Sequence, residues 1–391
     1  MEPTPHVVVL GAASIDIKGR ALEPLLPLTS NPGSIQLGLG GCARNIAENL
    51  ARLGVSTTLV SVVGSDLFGQ VVLSHTAEAG VDVSQVVVSP EHHTGAYLTL
   101  LEAEGQTLVC LDDMSGLQVL TPEFVQALDD LYYGADMVIV DANLPQATLD
   151  CVAHLAQREG IPLCVDPTSV ILAPKLTHLL NQIDLFVPNM AEAKVYCGCD
   201  VTDREQAIGV ARTLVKRGVG TAIVTLGAGG VAFATFDESG WIPAFPIDDI
   251  VDATGVGAAL TAGVIFGLLN QVPLDEAVRL MVDEVAERMA ALGGSPSGTP
   301  GALVERRRGK DYPLGRDTVQ RHIQELDVAY ENVLQAHREC VSSTEELDPM
   351  TQDMLIDQTR RLEQFQWMVR AHMESAAGGL ERQTGKDGAT S

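Results

Sequence analysis

At 391 residues, 46% of them hydrophobic, the chain has material for one large domain with an appendage or for two to three domains with ordinary globular cores. Its formal charge of −26 excludes a reader of nucleic-acid backbones, which depends on clustered Lys and Arg, and favours a small anionic ligand held at a local positive site. No basic segment precedes Val7 and no apolar run approaches a bilayer span, so a cytoplasmic protein without a membrane partner is expected.

Along the chain, β-branched runs at Val7 to Leu10, Thr57 to Val63, Met137 to Val140, Leu163 to Asp166, Leu185 to Val187 and Thr221 to Leu226 alternate with helical patterns. That alternation predicts a parallel sheet with helices on both faces. Asp16 follows the first run, as a ligand-binding carboxylate or as a turn cap. Gly33 to Leu39 and Ala96 to Leu111 alternate apolar and polar residues, the second turning at Glu104 and Gly105, and are expected to form a small β-lid. Gly40 and Gly41 lead into a helix whose apolar positions Ile46, Ala47, Leu50, Ala51 and Leu53 recur at helical spacing and which Gly54 ends.

Asn189 and Glu192 have the spacing of a helix capping box, and Thr225, Gly227 and Gly230 fall in a strand-end turn. Cys197 and Cys199 are one residue apart, so the seven cysteines are expected as reduced buried thiols, with a metal pair at these two as the alternative. There is neither a Walker A sequence nor a His-Glu-x-x-His. Asp252-Ala253-Thr254-Gly255-Val256-Gly257-Ala258 then opens an apolar helix through Leu269. A helix start with glycines offers unpartnered N–H groups, the positive end of the macrodipole and close backbone approach to an anion; alone, it is more often the mark of a tight loop packed under a helix.

The diglycine helix and the Asp252 to Leu260 segment, in that order and with a nucleotide-type stretch between them, resemble the paired signatures of the PfkB (ribokinase-like) carbohydrate and nucleoside kinases over about residues 7–281. Gly11 to Gly19, Asn31-Pro32-Gly33, Thr94-Gly95-Ala96-Tyr97-Leu98, Leu111-Asp112-Asp113-Met114 and Val165-Asp166-Pro167 resemble the pseudouridine kinase subfamily. The resemblance implies an α/β ribokinase-like sandwich with a β-lid over the sugar. It implies ATP-dependent phosphorylation of a nucleoside or sugar hydroxyl, pseudouridine first. Asp16, Gly40, Gly41 and Asn45 would then hold substrate hydroxyls. Asn189 and Glu192 would organise Mg²⁺ through its waters, and Thr225, Gly227 and Gly230 would lie along ATP. Asp252 and Thr254 would shape a monovalent-cation site with K⁺ as the candidate ion, and Gly255, Val256 and Gly257 would form the anion hole. Asp166 and Asp112 would lie near the phosphates and the lid, and Arg44 would hold its own helix.

Ala258 departs from the pattern, because family members carry there the aspartate that takes the proton from the attacking hydroxyl. The resemblance therefore implies an inactive or severely impaired kinase, the alternative being a ligand-binding or assembly protein. A non-catalytic family member, an engineered variant and a composite chain would share this alanine.

The pattern changes near Met281. An amphipathic stripe through Val319, Ile323, Leu326, Tyr330 and Val333 and another through Leu355, Leu362, Phe365 and Val369 predict two long helices, separated at Asp348 and Pro349. The polar end, residues 376–391, is expected to be disordered. Residues 282–375 resemble the second half of a Dps-type ferritin-like protein, most closely at Val282 to Arg288, Leu292 to Pro296 and Glu363 to Glu374. In that family an acidic pair spaced as Asp283 and Glu287 binds iron with histidines from an earlier helix, which is missing here, so the iron site is expected to be incomplete. The kinase-like part likewise lacks its adenine-side last segment. The helices are expected to mediate homo-oligomer contacts.

Overall fold

The computed structural model describes residues 5–103, 106–201, 203–244 and 255–279, together with Gln335 and Arg338. The expectations placed on Glu104, Gly105, Asp252, Thr254, Asp283 and Glu287, and on the stripes around Leu326 and Leu362, lie outside the described residues. Two compact units divide the chain, Met1–Gly298 and Thr299–Ser391, and every element below belongs to the first.

In chain order these are β1 (His6–Leu10), β2 (Ser14–Ala21), β3 (Gly33–Gly40), α1 (Cys42–Arg52), β4 (Ser56–Gly64), α2 (Leu67–Glu78), β5 (Val86–Ser89), β6 (Gly95–Leu101) and β7 (Thr107–Asp113). Then come α3 (Pro122–Gln126), α4 (Asp129–Tyr132), β8 (Met137–Asp141), α5 (Gln146–Glu159), β9 (Leu163–Asp166), β10 (Leu185–Phe186), α6 (Met190–Cys197) and α7 (Arg204–Lys216). β11 (Thr221–Thr225), β12 (Val231–Ala234), β13 (Ser239–Ile242) and α8 (Val256–Leu269) complete the series.

Among the described residues the large sheet has the order β13-β12-β11-β10-β9-β8-β1-β4-β5. It is parallel from β11 to β5 and ends in antiparallel β12 and β13. A parallel strand covered on both faces needs a continuous apolar run rather than alternation. In β1, Val8 and Leu10 enter one core, packed with residues of α5 and α7, while Val7 and Val9 enter the other, with residues of α1 and α8. The six β-branched runs read from sequence all lie in this sheet. β12 and β13 are not among those runs.

The lid is a second sheet, ordered β3-β2-β6-β7. Its centre is β2, which pairs antiparallel with β3 and parallel with β6. The two predicted hairpin stretches are therefore joined through the strand that carries Asp16. Register decides which side chains share a face. One cross-strand row is Gly38, Asp16, Tyr97 and Asp112; the next is Leu37, Ile17, Leu98 and Leu111. The first row supplies Asp16, Tyr97 and Asp112 to a cavity. The second puts Leu37, Leu98 and Leu111 on the exposed back of the lid.

The cysteine expectation needs correction. Of the described cysteines Cys164 is buried, Cys42, Cys151 and Cys197 are half-buried, and Cys110 and Cys199 are exposed. All are free thiols, and no group of three or more His, Cys, Asp or Glu among the described residues is placed to hold a metal ion, Cys197 and Cys199 included. No described helix is long and apolar enough to cross a membrane.

Candidate active site

A cavity of ≈ 380 Å³ lies between the lid and the C-terminal ends of the parallel strands, the place where open α/β sheets leave a crevice for ligands. Asp16, Gly41, Asn45, Asn189, Glu192, Thr225, Gly255, Gly257 and Ala258 all line it. Residues from both of the distant motifs are thus brought to one place. Gly40, Val256, Gly227 and Gly230 do not line it.

The diglycine has a steric cause. A Cβ on Gly40 would overlap the Asp16 carboxylate, and one on Gly41, whose φ is 94°, would overlap the Ala12 carbonyl. Only glycines let β3 turn into α1 this close to the start of β2. Arg44 is buried and fixes the same turn. Its Nε donates to the Gly40 carbonyl (2.8 Å) and its Nη2 to that of Leu39 (3.0 Å), and it pairs with Glu48. Arg44 Nη2 also donates to Asn45 Oδ1, which leaves the Asn45 amide nitrogen as the end available to a ligand.

On another wall, Asn189 and Glu192 form a complete capping box at the start of α6: Asn189 N donates to Glu192 Oε2 (2.8 Å) and Glu192 N to Asn189 Oδ1 (3.0 Å). Glu192 is nevertheless buried, unlike an ordinary exposed cap, and burial raises its pKa. Thr225 is held beside it through its N–H to the Pro188 carbonyl (3.0 Å). Gly230 has a packing reason of its own, because a Cβ there would overlap the Ile242 carbonyl. Gly227 starts the intervening turn at φ 56° with open space around it.

Asp166, at the end of β9, is pushed up to about 7, first by burial and then by Glu192 and Asp141, against the opposing N–H of Thr168. Thr168 takes a φ of 62°, an uncommon conformation for a β-branched residue, of a kind that clusters at functional sites. An acid whose folded-state pKa lies above its unfolded value contributes stability below the unfolded value and loses it as pH rises through the folded one. The melting temperature of the ligand-free chain is therefore expected to fall between about pH 5 and about pH 8, and Asp166→Asn to flatten that fall. A melting temperature that climbs over the same window in both proteins would contradict the assignment.

α8 closes the cavity. Its N-cap is Gly255 at φ 84°; among the described residues no side chain caps the first-turn N–H groups, and Cβ atoms on Gly255 or Gly257 would meet none of them within 4 Å. Ala258, in the same turn, is buried against the cavity. The site also contains residues that the sequence reading missed: Ser14, Tyr97, Asn143, Thr168 and Thr261. Among the described residues the Ser14, Thr168 and Thr261 hydroxyls are buried without a hydrogen-bond partner. One of the five had a signal in sequence: Thr261 lies three residues beyond Ala258 on one helix face.

The pfkB family carbohydrate kinase model matches residues 4–283. The pseudouridine kinase of Escherichia coli is 34% identical over 281 residues, covering 71% of this chain and 88% of that protein. A carbohydrate kinase structure from Agrobacterium tumefaciens superimposes with a TM-score of 0.65 at 28% identity, covering 77% of this chain and 96% of that one. Arabidopsis thaliana ribokinase, solved with ribose and ATP, gives 0.65 at 22%, covering 75% and 95%, a likeness of fold. A ferritin-like domain model matches residues 276–377. The DNA protection during starvation protein of Mycolicibacterium smegmatis is 51% identical over 108 residues, 28% of this chain and 59% of that protein. The chain thus spans about three fifths of that relative. By these matches the chain belongs to the pfkB family of carbohydrate kinases and carries a ferritin-like, Dps-like region behind the kinase domain.

Proposed function

We propose that the cavity binds a nucleoside, pseudouridine first, together with ATP, and that phosphoryl transfer between them is severely impaired. The observation that carries this reading is the shared cavity, lined by Asp16, Asn45 and the start of α8, with a methyl group at position 258 in that same first turn. Asp16 accepts from substrate hydroxyls and Asn45 donates to them. The first-turn N–H groups of α8 receive the transferring phosphoryl group. Positioning and charge stabilisation, which supply most of phosphoryl-transfer catalysis, are in place. The base is not, and its loss accounts for about 10²–10⁴-fold. The 34% likeness to pseudouridine kinase supports the choice of nucleoside over the ribose of more distant relatives.

Family members use Mg²⁺ with ATP, and the donor set here fits an ion that keeps its waters. No described cluster cages a metal, but Asp166 and the buried Glu192 both line the cavity and the Glu192 charge adds to the upward shift of Asp166, so a counter-charge there is favoured, and Mg²⁺ is held by one or two carboxylates plus substrate phosphates. When bound, it neutralises charge on the phosphates. Asn189 and Glu192 would orient its waters. A monovalent cation beside Asp252 and Thr254 belongs to the same reading.

We further propose a division into a kinase domain at 1–281, Dps-like helices at 282–375 and a polar tail at 376–391. With its acidic pair Asp283 and Glu287 lacking histidine partners, the Dps-like region is a contact surface rather than an iron store. The full chain is expected to self-associate, and a chain cut near Val282 to lose that association while staying in solution. Light scattering decides: a monomeric full chain, or iron oxidation that depends on Glu287, would contradict this account.

A further inference from the structure

Asp141, the last residue of β8, is fully buried and accepts three backbone N–H groups. Its Oδ2 takes those of Ala12 (2.8 Å) and Ala43 (3.0 Å), and its Oδ1 takes that of Asn143 (3.0 Å). The donors come from three walls of the cavity. Ala12 lies in the link from β1 to the strand that bears Asp16. Ala43 lies in the first turn of α1, between Cys42 and Asn45. Asn143 lies in the loop after β8. Ala12, Cys42, Asn45 and Asn143 all line the cavity.

Two further features belong to the same arrangement. α1 has glycine as its N-cap and no side-chain cap of its own, so Asp141 caps it from across the sheet, a carboxylate at the positive end of a helix. Gly11, at φ 148°, leaves room for the carboxylate, since a Cβ there would lie 2.5 and 2.7 Å from its two oxygens. From the other side, Lys175 Nζ donates to the carbonyls of Ala142 (3.0 Å) and Leu144 (2.9 Å), which fixes the loop that Asp141 begins.

We propose that Asp141 is the positioning residue of the substrate half of the cavity: it sets the spacing between the Asp16 strand and the Asn45 helix and aims Asn143 into the cavity as a further polar contact for substrate. The substrate part of this inference rests on the nucleoside reading above. Asp141→Asn tests it with almost no change of volume. An amide has a single acceptor oxygen, so whichever way it turns, at least one of the three N–H groups faces another donor.

The experiment uses the full chain and reads amide hydrogen exchange together with calorimetric affinity for pseudouridine and, separately, for a non-hydrolysable ATP analogue with Mg²⁺. For Asp141→Asn, exchange should quicken at residues 11–16, 41–45 and 141–144 and not across the sheet. Nucleoside affinity should fall roughly tenfold while the ATP analogue keeps its affinity. Unchanged exchange at those three segments, or equal weakening toward both ligands with exchange raised throughout, overturns the proposal. Asn143→Ala, which leaves the three backbone N–H contacts of Asp141 in place and removes only the side-chain hydrogen bond from Asn143, should weaken nucleoside without altering exchange at Ala12 and Ala43. Unchanged affinity in that variant overturns the role of Asn143, and this test stands even if Asp141→Asn does not fold. If the unaltered chain binds no nucleoside, the nucleoside reading fails on its own, and the exchange pattern still decides whether Asp141 holds the three walls.

Discussion

Ala258→Asp is expected to raise phosphoryl transfer from ATP to pseudouridine by about 10²–10⁴-fold, the usual contribution of a positioned general base. The position can accept the change. Ala258 is the third residue of α8 after its N-cap, where a carboxylate is favoured by the macrodipole, and it already borders the cavity. One turn further, Thr261 has a buried hydroxyl without a partner among the described residues, available to a new carboxylate at i, i+3. Ala258→Asn, of the same shape but unable to take a proton, is expected to stay at the low rate. The measurement is accumulation of nucleoside 5′-monophosphate. If the unaltered chain already turns over at ordinary kinase rates, the base assignment at 258 is wrong. If Ala258→Asp and Ala258→Asn are equally inactive, the deficit lies beyond α8, in the adenine-side segment.

Asp16→Ala should weaken nucleoside binding by roughly ten- to a hundredfold, and Asn45→Ala by about tenfold. A hydrogen bond to a charged group contributes on the order of 1.5–3 kcal/mol and a neutral one about 1 kcal/mol, while every 1.4 kcal/mol is a factor of ten. The larger loss belongs to Asp16, a carboxylate that is largely buried at the cavity wall. Gly40→Ala should reproduce much of that loss without removing any polar group, because its new Cβ would displace the Asp16 carboxylate. Calorimetry on the three variants checks this, and affinities equal to that of the unaltered chain would remove Asp16 and Asn45 from the substrate site.

The parts of this architecture that sequence displays are those in which one strand or one helix start determines the outcome. Val7 to Leu10 is apolar throughout because both of its faces are covered, and that reads directly as a central parallel strand. Gly40 and Gly41 read as a site because no other residue fits against Asp16 and Ala12. What sequence conceals is pairing at a distance. That β2 pairs in parallel with β6 follows from tertiary packing, and with it the placement of Tyr97 and Asp112 on the face that bears Asp16. Asp141 carries no local sign of its role, since its three donors are 129 and 98 residues earlier in the chain and two residues later. The capping box at Asn189 and Glu192 was legible, but its burial in the cavity was not, because burial depends on β9 and β11 alongside it.

The cavity is expected to bind without reacting, and one calorimetric experiment addresses both halves of that expectation: titration of the unaltered full chain with pseudouridine in the presence of hydrolysable ATP and Mg²⁺. The predicted record is a saturable binding heat, larger than for uridine or ribose, that returns to baseline after each injection. Sustained heat of turnover at an ordinary kinase rate, or no binding heat with any of the three compounds, would contradict it.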